Sequence, residues 1–185
     1  MILMMRALAL SLLIAATAPQ RPLLQFGGFY PGVPWKGIKP YIAQNAPRPA
    51  ACHLTADVGA NSRTRTCVAR RLLLTNDIRA NVTFTVDDSS GKVVSIIAAW
   101  RPVHDQDREV LVDSLTATHG APNAADSGRA AAEWTQGPVA LKVTARPMPG
   151  TTESGVTNPI VVMLINTPLQ HAVDGRLKTA APPAP

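Results

Sequence analysis

The stretch that decides the fold runs from Asn81 to Arg101: Asn81-Val82-Thr83-Phe84-Thr85-Val86-Asp87, then Asp88-Ser89-Ser90-Gly91, then KVVSIIAAWR from Lys92 to Arg101. In the first segment Val82, Phe84 and Val86 alternate with Asn81, Thr83, Thr85 and Asp87. Alternation with period two among β-branched and aromatic residues marks a strand with one buried face. The central Asp-Ser-Ser-Gly has turn chemistry, and the third segment is apolar on both faces, as a central strand is. The spacing therefore predicts an antiparallel hairpin.

Working outward, Pro102 ends the second strand, and Asp105, Gln106, Asp107 and Glu109 place acidic and capping groups where a helix begins. The helix is expected to reach about His119, burying Leu111, Val112 and Leu115, with Gly120 past its end and Pro122 preventing continuation. Ala131 to Gln136 and Val139 to Ala145 form a second predicted hairpin around Gly137-Pro138, and Pro159 to Asn166 (PIVVMLIN) a last buried strand. Upstream, Thr66 to Leu74 reads as a further strand or a short helix. The expected fold is α+β: an antiparallel sheet of about five strands with one helix on one face, in the order strand-strand-helix-strand-strand-strand.

The N-terminal third is different. Seven of the 17 prolines lie between Pro19 and Ala51, among several glycines. Proline fixes φ and removes a donor, so an irregular arm is expected here rather than a long helix or a central strand. Yet Phe26, Phe29, Tyr30, Trp35 and Tyr41 also fall in this arm. Three readings of this segment stand: the rings pack the arm over the sheet, they form an arm that orders on contact with a partner, or the segment is a plain spacer. The expected division is a signal peptide at 1–18, the arm at 19–51, a single α+β domain at 52–173 and a disordered tail at 174–185.

The signal peptide rests on Ala7 to Ala18 (ALALSLLIAATA), an apolar run with Arg6 before it and small residues at its end. A membrane-spanning helix needs about 20 apolar residues, so no transmembrane span is expected once the signal is removed. Pro19 directly follows the Ala16-Thr17-Ala18 site, which leaves the cleavage point open. The expected location is periplasmic or secreted, and abundant Ala, Arg, Val and Pro fits a bacterial source. In such an oxidising compartment Cys52 and Cys67 are expected to form a disulfide. The loop it closes corresponds to about 3 kcal/mol on chain-entropy grounds.

Leu111 to Lys142, with its helix, HGAP turn, Trp134 and hairpin, resembles small exported bacterial α+β modules such as envelope-assembly lipoproteins and secreted inhibitors. No diagnostic motif accompanies the likeness, and no function is carried over from it.

Chemistry-bearing motifs are few. The chain has no G-x-G-x-x-G, no P-loop and no G-x-S-x-G, so no cofactor and no catalytic residue is assigned. His104, Asp105, Asp107 and Glu109 group at the predicted helix start, but His119 stands about 20 Å away along it, so no metal site is assigned. Acids at a helix N-terminus are favoured by the dipole without any ligand.

Arg63, Arg65, Arg70 and Arg71 bracket Cys67, with no acid between Asp57 and Asp77. Guanidinium groups suit bidentate contacts to phosphate or carboxylate. The net charge is +6 on the whole chain and +5 without Arg6, with no Lys/Arg run of the kind that binds nucleic acid. The leading expectation is a non-enzymatic binding or accessory domain that contacts an envelope component, a protein or an anionic polymer, through the arginines or the aromatic arm. The alternatives are a small secreted hydrolase or metal-dependent enzyme using groups near His104, and a secreted inhibitor or structural protein.

Overall fold

The computed structural model describes residues 24–57, 63–74, 78–102, 104, 106–125, 131–145 and 159–180. The expected signal peptide at 1–18 lies outside them. In chain order the elements are α1 (Trp35–Asn45), β1 (Ala51–Asp57), β2 (Arg63–Leu73), β3 (Arg79–Asp87), β4 (Lys92–Trp100), α2 (Asp107–His119), β5 (Ala124–Ala125), β6 (Ala131–Gln136), β7 (Val139–Ala145), β8 (Ile160–Asn166) and α3 (Thr167–Ala180). The strands form one antiparallel sheet in the order β1-β2-β3-β4-β8-β7-β6-β5.

The class is α+β as expected, but among the described residues the sheet has eight strands rather than about five, and there are three helices rather than one. The β3–β4 hairpin, the β6–β7 hairpin, α2 and β8 fall where the sequence pattern puts them. Thr66 to Leu73 belongs to strand β2, so the helical alternative is excluded. Four elements were not foreseen, the two-residue β5 among them. β1 has no apolar alternation, α1 forms inside the proline-rich arm, and residues 174–180 of the expected disordered tail are helical in α3.

The hairpin reading holds because its buried residues continue into rows that cross the sheet. Cys67 is the register partner of Phe84, Phe84 of Ile96, Ile96 of Leu164, Leu164 of Leu141 and Leu141 of Trp134. Every member of that row is at most 2% exposed. The next row, Ala69-Val82-Ala98-Val162-Val143-Ala132, is buried in the same way. Apolar area removed from water on this scale is the main stabilising term of the fold.

The arm covers this face. The FGGF segment is a two-residue reversal in which the Phe26 and Phe29 backbones exchange hydrogen bonds of 3.0 and 3.1 Å. Gly27 and Gly28 both have positive φ, +59° and +79°, which side chains resist and which a tight twisted turn requires. The turn delivers both rings to the core: Phe26 stacks on Trp100, and Phe29 meets Phe84 and Tyr41 edge-on. The arm is also tied to the sheet by backbone bonds from Gly32 to Val93 and from Trp35 to Gly91.

In α1, Trp35, Ile38 and Ile42 lie on one face and are buried, and Trp35 packs on Phe84 with ring centroids 5.3 Å apart. Burial of that stripe overrides Pro40 inside the helix. α2 adds Leu115 to the same core, and the Trp134 indole N–H donates to the Gly120 carbonyl at 2.8 Å, fixing the end of α2 to β6.

The opposite face is only partly covered. α3 packs against β4 and β8 and buries Val173. Its Arg176 reaches Asp87 at 2.8 Å, and Asp87 is 1% exposed. The row Val68-Thr83-Ile97-Met163 on this face is half-buried.

Candidate functional site

The site begins with an irregularity in β2. Ala69 pairs with Val82 and Leu72 with Ala80, so Arg70 and Arg71 together oppose Asn81 in a β-bulge. Arg71 has φ 53°, the only non-glycine with positive φ among the described residues. That left-handed conformation is uncommon for a long side chain and costs about 1–2 kcal/mol. Two bonds hold it: the Arg71 N–H donates to Asn81 Oδ1 at 3.2 Å, and Arg79 Nη1 donates to the Arg71 carbonyl at 3.4 Å. Both use the Arg71 backbone, and the residue is exposed.

The bulge borders a groove of about 510 Å³ lined by Pro47, Arg48, Pro49, Ala51, Val68, Arg70 and Arg71. Its apolar surface comes from the prolines, Ala51 and Val68, and its charge from three exposed arginines. Pro47 and Pro49 fix φ on either side of Arg48 and restrict the chain that carries it. None of these arginines takes part in an ion pair among the described residues, whereas Arg65 pairs with Asp88, Lys142 with Glu133 and Arg176 with Asp87. Like charges gathered without a counter-charge raise the local positive potential and favour an anion.

The four arginines read from the sequence separate here. Arg70 and Arg71 stay together in the groove. Arg65 pairs with Asp88 at 3.0 Å and lines a different depression with Trp35, Lys39 and Cys52. Arg63 begins β2 opposite Asp57. At about 3.3 Å per residue, a strand spreads Arg63 and Arg70 about 23 Å apart, so closeness in sequence is not closeness in space. Arg48 was missed because it lies in the arm, and only the fold brings it to the bulge.

The aromatic arm is packed. Phe26, Phe29 and Trp35 are core residues, Tyr41 is half-buried and donates its hydroxyl to the Leu73 carbonyl, and Tyr30 is 39% exposed. Tyr30 and Tyr41 border a shallow depression of about 360 Å³ with Gly28, Pro34 and Gly37.

Cys52 and Cys67 form the expected disulfide across β1 and β2, and no free cysteine remains among the described residues. Near the start of α2, the His104 N–H donates to Asp107 Oδ2 at 3.0 Å, a local turn bond, while His119 is buried at the far end. Asp105 lies outside the described residues. Among the described residues no three His, Cys, Asp or Glu side chains gather as a metal site would require.

The titration of Asp87 is clearly displaced. Burial pushes its carboxyl up, but hydrogen bonds from Ser90 and Ser89, the Arg176 charge and the Ser89 amide together hold it below its ordinary value. Its role is to anchor the β3–β4 turn and α3.

Compared with known proteins, the chain matches no protein family, no curated protein and no solved structure. No described helix is long and apolar enough to cross a membrane. The disulfide and that finding are compatible with an extracellular or periplasmic protein.

Proposed function

We propose that this protein is an exported, non-catalytic binding domain that receives an anionic group of an envelope partner in the groove formed by Arg48, Arg70 and Arg71. The observation that carries the reading is three exposed guanidinium groups around one groove, none ion-paired among the described residues, one of them on a strained backbone. Strain at a residue whose side chain makes no internal bond among the described residues supports a role for that side chain outside the fold. Export is supported by the apolar run Ala7 to Ala18 and by the disulfide. With Phe26, Phe29 and Trp35 in the core, the arginines rather than the aromatic rings of the arm are the contact surface.

The ligand chemistry is a carboxylate or phosphate held by bidentate, charge-assisted hydrogen bonds. Poly-glutamate and inorganic polyphosphate serve as probes at low and physiological salt. Replacing Arg48, Arg70 and Arg71 together by alanine is expected to weaken binding about tenfold or more, and to flatten its dependence on salt. Replacing the exposed Lys36 and Lys178, on α1 and α3, is expected to leave it nearly unchanged. Equal affinity in the wild type and the triple-arginine variant would reject the groove.

A further inference from the structure

The groove opens at the margin of the sheet. β1 is the terminal strand, and among the described residues it pairs only with β2. Residues Ala51 to Thr55 are all exposed, and Ala51 also lines the groove.

Which backbone groups of β1 face outward follows from the disulfide. Cys52 and Cys67 are direct register partners with Cα atoms 4.0 Å apart. Antiparallel partners are closer, about 4.5 Å, where they do not exchange hydrogen bonds, and about 5.5 Å where they do. Cys52 therefore belongs to a non-hydrogen-bonded pair, and its N–H and C=O point away from β2. By alternation those of Leu54 do too, because the register shift comes only after Leu54. Exposed edges are usually blunted by lysine, proline or an early bulge. In β1 the bulge comes only after Leu54 and leaves the edge from Ala51 to Leu54 regular, and Leu54 is 53% exposed.

We propose that the outer edge of β1 takes up an extended, acidic segment of a partner protein as an added strand, with its carboxylates held by Arg48, Arg70 and Arg71. This rests on the groove being the anion site. A polymeric phosphate or a lipid headgroup would satisfy the arginines but not the outward N–H and C=O groups of Cys52 and Leu54, whereas a peptide satisfies both. Strand addition supplies main-chain hydrogen bonds for affinity and alternate side chains for specificity. The added strand would lie about 4.8 Å beyond β1, so a glutamate side chain on the groove side and the long Arg70 side chain meet across β1.

The test uses a peptide of about seven residues alternating glutamate and valine. Twins methylated on either alternate set of backbone nitrogens remove the donors on one edge or the other. Binding to the full chain is followed by fluorescence anisotropy. The expected result is that one methylated twin, and separately the Leu54→Pro variant, binds about tenfold more weakly, the loss of one or two hydrogen bonds. Proline is tolerated on an edge where the N–H faces solvent, and Leu54→Thr, which keeps the N–H, is expected to bind as the wild type does. If Leu54→Pro does not fold, the methylated peptides on the wild-type chain carry the test alone. If poly-glutamate binds but the alternating peptide does not, or if both twins bind unchanged while the triple-arginine variant binds weakly, strand addition is overturned and the groove stands. If the triple-arginine variant binds the peptide as tightly as the wild type, the groove reading itself fails.

Discussion

Arg71→Gly should make the protein more stable and a weaker binder at once. Arg71 sits at φ 53°, where a residue with a Cβ is disfavoured by about 1–2 kcal/mol relative to glycine. Glycine loses more freedom on folding, which offsets about 0.5–1 kcal/mol of that gain. Both hydrogen bonds at the position, to Asn81 and from Arg79, use the Arg71 backbone and survive the substitution. The net expectation is a gain of about 0.5–1 kcal/mol, or about 1–4 °C in Tm for a chain of this size. Urea and thermal unfolding followed by tryptophan fluorescence measure it, since Trp35 and Trp134 are buried in the core. Arg70→Gly is the control: its φ is not positive, so glycine there is expected to destabilise the strand by about 0.5–1 kcal/mol. Binding of poly-glutamate by Arg71→Gly should weaken about threefold to tenfold with the loss of one guanidinium. A fall in Tm of more than about 2 °C would mean that the Arg71 side chain holds the fold together. A rise in Tm with unchanged binding would mean that the strain is not kept for a ligand.

Three further outcomes follow from the packing. Asp87→Asn should cost about 1.5–3 kcal/mol at neutral pH, by removing the charge from hydrogen bonds with Ser89, Ser90 and Arg176. Because the folded-state pKa is held below the ordinary 3.8, this contribution is complete above that pH and is lost as pH falls through the folded value. Acid unfolding curves of the wild type and Asp87→Asn should therefore converge below about pH 4, and curves that stay parallel would reject the assignment. Replacing Cys52 and Cys67 together by alanine should lower stability by about 3 kcal/mol in urea, with the strand register retained. Phe84→Ala, at the contact of Phe29 and Trp35, should cost about 3–5 kcal/mol and speed hydrogen exchange across residues 24–50; exchange unchanged in the arm would show that its docking does not depend on that ring.

What was legible in the sequence was whatever local pattern alone determines. β3, β4 and α2 carry their own periodicity and punctuation, and they appear where expected. β1 (ACHLTAD) carries no such pattern, because Ala51 to Thr55 are exposed and the strand is held by pairing to β2 and by the disulfide. α1 was hidden by Gly37 and Pro40, which argue against helix locally and lose to the burial of Trp35, Ile38 and Ile42. α3 has a weak apolar stripe and an internal Gly175, and it is placed by Val173 and the Arg176–Asp87 pair. The arginines were half legible. Arg70 and Arg71 were singled out for their neighbourhood to Cys67, but the bulge that joins them to Arg48 is a property of the paired strands.

The central claim is that anion binding is localised at the β1–β2 margin, and amide chemical-shift mapping tests it residue by residue. The labelled protein is titrated with poly-glutamate, and shifts are followed across the sheet, the arm and α3. The largest perturbations are expected at Arg48, Ala51, Val68, Arg70 and Arg71, and they should fade as salt is raised. Perturbations centred on the Gly28–Tyr41 depression, or spread evenly over the basic surface, would contradict the account.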